Sequence, residues 1–146
     1  MSVTVASIRQ QVAAAIDSDL SASGWREATG TVDTFGEGDG EGRLHLGYAV
    51  GCPETVATGD RQKVSLGTLV DTTVRVRWAY RVGALRQVAD YDAALEAEAS
   101  LIKAVATTRD GTGRHVLWLS ASRVVDDQGW MLGDLAFRAQ HRLALA

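Results

Sequence analysis

The chain has 146 residues and a formal net charge of −3, with 46% hydrophobic and 23% charged residues. That length suits one α+β domain spanning residues 1–146 with a core of its own, and the composition excludes wholesale disorder. An acidic balance gives no general attraction for nucleic acid or an anionic membrane, so any such contact would need a local patch.

The first twenty residues, MSVTVASIRQQVAAAIDSDL, space Val5, Ile8, Val12, Ala15 and Ile16 at helical intervals, with Ser2 or Thr4 available as a cap. The spacing predicts a first helix over roughly residues 4–17, and Arg9 interrupts any run that could serve as a signal peptide. No stretch is long and apolar enough to cross a bilayer, and the lone Cys52 cannot form an internal disulfide. These features lead us to expect a cytoplasmic protein with no membrane contact.

GEGDGEG at 36–42 reads as a glycine-rich, acidic tip rather than a regular element. It lacks the Gly-Lys-Ser/Thr ending of a phosphate-binding loop, and its carboxylates do not follow the EF-hand ligand order. RLHLGYAVG alternates Leu44, Leu46, Tyr48 and Val50 against His45, Gly47 and Ala49, a strand pattern. Residues 51–66, with the sole proline and no clear period, read as a long loop, and loops of that length are usually functional or ordered by a partner.

TTVRVRWAYRV lies within a long strand predicted over roughly 67–82. It sends Val74, Val76, Trp78, Tyr80 and Val82 to one face and Thr73, Arg75, Arg77 and Arg81 to the other. DYDAALEAEASLIKAVATT aligns Tyr91, Ala94, Leu95, Glu98, Leu101, Ile102 and Val105 on one helical stripe, with Asp90 as the expected N-cap. Its acidic first half (Asp90, Asp92, Glu96, Glu98) suits the helix dipole and a solvated face. HVLWLSASRVV and GWMLGDLAFRAQHRLALA then form two long strands joined by DDQG, a hairpin signal.

The expected order is α-β-β-α-β-β: a mainly antiparallel four-stranded sheet with both helices packed on one face and the arginine-bearing face left bare. Trp78, Trp118 and Trp130 read as core or sheet packing, and Trp25 as a wedge between the first helix and the sheet.

No catalytic constellation emerges, so we expect neither an enzyme nor a cofactor. His45, His115 and His141 fall on or beside different strands without metal-ligand spacing. Ser65, Ser120 and Ser122 lack a nucleophile-elbow context, and Cys52 reads as an inert thiol. The arginines stand out. Arg75, Arg77 and Arg81 lie close together on the uncovered face, with Arg123, Arg138 and Arg142 on neighbouring strands, and arginine suits interface ion pairs and phosphate.

In its order of elements and local wording, the chain resembles the tail terminator proteins of long-tailed bacteriophages. The resemblance runs from the amphipathic N-terminal helix through LHLGYAV, a long loop, TTVRVRWAYRV and DYDAALEAEASLI to the hairpin GWMLGDLAFRAQHRLAL. It implies a virion protein, assembled in the host cytoplasm, that forms a hexameric ring. Such a ring caps the tail tube, stops its polymerisation, meets the head connector protein and lets DNA pass. It also implies that Arg75, Arg77 and Arg81 line an inter-subunit or lumenal surface, and that Arg61 and Lys63 in the 51–66 loop reach a neighbour or the tail tube protein. Two other readings stand beside it: another neck component (a head-closure or tail-completion protein), and a small-molecule or peptide-binding α+β domain.

Overall fold

A computed structural model describes residues 2–35, 44–58, 69–83, 85–110 and 113–143. Arg61, Lys63 and the 36–42 tip lie outside them. The chain order is β1 (Ser2–Val3), α1 (Val5–Leu20), a 3-10 turn (Ser21–Ser23), β2 (Arg26–Glu27), β3 (Gly47–Ala57), β4 (Leu69–Arg81), α2 (Gln87–Ala106), β5 (Leu117–Val125) and β6 (Trp130–Leu143).

The expected four-stranded sheet is overturned. Among the described residues the sheet has six strands, ordered β1-β6-β4-β3-β2 with β5 also on β6, and it is mixed because β1 joins β6 and β2 joins β3 in parallel. Both additional strands are two residues long, too short to show a period in the sequence. The expected 51–66 loop is corrected as well, since β3 continues to Ala57. Pairing with β4 shifts between Gly51 and Glu54, leaving Cys52 and Pro53 as a bulge. Proline is tolerated there because a bulged residue owes the ladder no N–H.

Helix α1 starts where Thr4 Oγ1 accepts the Ser7 N–H at 3.1 Å. It ends at Leu20 and runs into the 3-10 turn, which Gly24 closes with a φ of 96° that suits a residue without a Cβ, and the next N–H, from Trp25, returns to the Leu20 carbonyl. Trp25 therefore turns inward and meets Tyr48 and Trp78, each with ring centroids 6.4 Å away. Helix α2 begins earlier than expected. Arg86 occupies the cap position, and Asp90 sits in the first turn, where its Oδ2 accepts the Gly83 N–H at 2.7 Å. That bond ties the exit of β4 to the helix.

One core joins Ile8, Val12, Ile16 and Leu20 of α1 and Ala94, Leu101 and Val105 of α2 to Tyr48, Val74, Val76, Trp78, Leu135 and Phe137 of the sheet. Cross-strand packing is tight where Trp78 faces Gly133, because a Cβ at Gly133 would lie 2.0 Å from the indole. At the far end of the sheet, fully buried His141 and Thr72 hydrogen-bond at 2.7 Å, and Thr72 continues to Thr55 at 2.9 Å. This row satisfies polar groups that would otherwise be costly to bury.

Candidate functional site

The arginine face is partly covered, contrary to expectation. Val32 is buried and seated over Gly51, where a Cβ would come within 2.1 Å of it. Arg77 holds that strap in place: its Nη1 donates to the carbonyls of Val32 at 3.0 Å and Phe35 at 3.4 Å. Arg75 grips the cross-strand Asp134, its Nε donating to both carboxylate oxygens at 2.9 Å and its Nη2 to Oδ2, while Arg77 Nε approaches the same carboxylate at 3.6 Å. Asp134 and the fork bonds hold the Arg75 proton more firmly than usual. Arg81 is exposed and lies over the Trp130 ring, 5.4 Å from its centroid, a cation–π contact. So two of the three arginines singled out in the sequence have internal partners, and the third rests on an aromatic.

Arg123 belongs to the opposite, helix-covered face, because it pairs in register with Gly133, which faces the core beside Trp78. It forks Glu98 of α2, with Nε donating at 2.8 and 2.9 Å and Nη2 at 2.6 Å. Glu98 is 2% exposed, so its assignment to a solvated helix face is corrected. The bidentate arginine accounts for a carboxylate at that depth.

The sequence predicts the strand HVLWLSASRVV, now β5, but not that it is an exposed edge. It is a nine-residue strand that among the described residues pairs only with β6, at the sheet's edge, and it exposes Leu117, Trp118, Leu119, Val124 (66%) and Val125. Trp118 is 45% exposed and is not a core residue; its indole N–H donates to the Ser120 carbonyl at 3.1 Å, beside a register shift that leaves Leu119 unpaired. The signal was in HVLWLSASRVV itself. Its apolar residues fall on both parities, so no single face could bury them all. Leu85 (fully exposed), Val88 and Tyr91 are exposed as well, just before and along the first turns of α2. A hollow of about 450 Å³ lies beside it, lined in part by Tyr91, Val125, Arg81 and Asp126.

The histidines stay apart. His45 Nδ1 accepts the Arg81 N–H at 3.0 Å and its ring meets Tyr80 edge-on; partial burial lowers its pKa, opposed by Asp90. His141 is in the core row, and His115 bridges to Arg109 beyond the sheet. Among the described residues no cluster of histidine, cysteine and carboxylates could hold a metal ion, and no helix is long and apolar enough to cross a membrane. Cys52 lines a second hollow of about 360 Å³ with Arg9, Glu27 and Val32, and burial pushes its thiol up to about 11.

No family model matches the sequence, and no curated protein is similar to it at the level of sequence. Among solved structures, the backbone is similar to a chain from the "Virion of native gene transfer agent (GTA) particle", with a TM-score of 0.48 and 15% identity over 92% of this chain and 91% of that one. At that score the likeness describes a backbone path and carries no functional weight.

Proposed function

We propose that this chain is a structural virion protein, a subunit of a ring, most simply a hexamer, that caps a tail tube and joins it to the head connector. The observation that carries the proposal is β5. A long apolar edge strand invites association, and soluble chains normally blunt such edges with charge, bulges or a covering element. Here the edge displays Leu117, Trp118, Val124 and Val125. A surface of this kind persists usefully when another protein covers it. Closing a ring requires different patches on the two sides of each subunit, and β3, which among the described residues has no outer strand partner beyond its short pairing with β2, offers the second patch.

The sequence resemblance to tail terminators supplies the identity of the assembly: tail tube and head connector as partners, with DNA passing through. In this reading Arg75 and Arg77 serve the subunit by fixing the strap and the sheet, and Arg81 on Trp130 faces a neighbour or the lumen. Arg61 and Lys63 reach the neighbour or the tube. No chemistry is assigned to the chain.

Negative-stain microscopy of the chain alone and mixed with its tube protein tests the proposal. Rings on tube ends, abolished by Trp118→Ser with Val124→Lys, are the expected result. A chain that stays monomeric in both conditions overturns it.

A further inference from the structure

Strand β6 loses its outer partner between Arg138, where pairing with β5 ends at Leu117, and Arg142, where pairing with β1 begins. The Gln140 N–H lies in that gap, and Asp110 fills it: Oδ2 accepts this N–H at 3.3 Å while Oδ1 accepts the Arg114 N–H at 3.1 Å. Asp110 and Arg114 are thereby held against the sheet, and the backbone beside them is closed by Asp110 N–H to the Arg114 carbonyl at 2.7 Å and Val116 N–H to the Thr108 carbonyl at 2.8 Å. The result is a hollow of about 280 Å³ lined by Asp110, Arg114, His115, Leu117, Arg138 and Gln140.

Both Asp110 oxygens accept backbone N–H bonds, which spread the carboxylate's charge into the turn. The Arg114 and Arg138 guanidiniums have no ion-pair or hydrogen-bond partner among the described residues, and His115 lies beside them. Having no partner does not single them out, since the Arg26 and Arg86 side chains have none among the described residues either; sharing one hollow does. Arg9 pairs with Glu27, Arg75 with Asp134 and Arg123 with Glu98. In a chain of net charge −3, Arg114, Arg138 and His115 line one concavity together with a single carboxylate, Asp110.

We propose that this hollow binds a phosphate-type oxyanion. Two like charges sharing a recess repel each other, and an anion between them relieves that repulsion. A carboxylate is satisfied by one guanidinium fork, whereas two forks and an imidazole N–H offer the larger set of donors that tetrahedral phosphate oxygens accept. Inorganic phosphate and the backbone of a nucleic acid share this chemistry. The site concerns the free chain and does not depend on ring formation.

Calorimetric titration of the full chain with sodium phosphate, against sodium chloride at matched ionic strength, tests the site, with Arg114→Gln and Arg138→Gln as variants whose folding is checked by circular dichroism. Phosphate should bind the parent chain and bind each variant at least about tenfold more weakly. A short duplex DNA forms the second arm. If it competes with phosphate and is weakened by the same variants, the ligand is a nucleic-acid backbone; binding of phosphate without that competition identifies the free anion. Absence of phosphate binding to the parent, or equal affinity in parent and both variants, overturns the proposal.

Discussion

Replacing Gly133 with alanine adds one methyl group at the tightest point of the core. The new Cβ would lie 2.0 Å from Trp78 Cε2 and Nε1 and 2.5 Å from Cζ2, whereas carbon atoms pack best about 3.5–4.0 Å apart. The indole would have to retreat by roughly 1.5 Å, yet it is fully buried and backed edge-on by Trp25 at 6.4 Å. Overpacking of this kind costs about 1–3 kcal/mol. Removing a strand glycine returns about 0.5–1 kcal/mol of backbone entropy. A net loss near 1.5 kcal/mol should lower the melting temperature by about 3–6 °C in a domain of this size. Urea and thermal melts followed by tryptophan fluorescence provide the measurement. A smaller ring at the facing position should relieve the clash, so Trp78→Phe combined with Gly133→Ala should lose less than the two single losses added together. A Gly133→Ala variant as stable as the parent would refute the packing argument.

The Arg123–Glu98 pair supplies a second test: Arg123→Ala strands a carboxylate whose side chain is 3% exposed, and denaturant melts should show a loss of about 2–3 kcal/mol, discounted because the arginine itself is 36% exposed. Cys52, pushed up to about 11 by burial, should react with iodoacetamide at pH 8 far more slowly than a free thiol. Because its folded pKa is raised, the stability it contributes is full below the reference value of 9.0 and is lost as pH rises towards 11, a limb that Cys52→Ser should flatten. His45 has the opposite sign: its folded pKa is lowered by burial, so its contribution is full above 6.5 and is lost as pH falls through the folded value. Protonation removes the acceptor for the Arg81 N–H, so protection of that amide, its exchange rate compared with the intrinsic rate at the same pH, should fall in acid and do so less in His45→Asn.

Elements with a repeated pattern were legible in the sequence. The 3.6-residue spacing of Ile8, Val12 and Ile16 and the two-residue alternation of Val74, Val76 and Trp78 each specify a buried face, because either period returns side chains to the same side of the backbone. DDQG was likewise legible as a hairpin, and Asp126 Oδ1 accepts the N–H groups of Gln128 and Trp130 there, each at 2.9 Å. Local hydrogen-bonding chemistry of this kind depends only on near neighbours in the chain.

Only the tertiary structure decided the rest, because each of the other features joins residues with no periodic relation. The two-residue strands β1 and β2 exist only because β6 and β3 present unpaired edges to them. Alternation placed the arginines on strands, but only register could assign partners, and it put Arg75 across from Ala136 within reach of Asp134, and Arg123 on the helix side under Glu98. The same limit applied to β5. Its composition marks it as apolar, but the sheet order makes it an edge, and at an edge the residues that would be core in a central strand remain facing solvent.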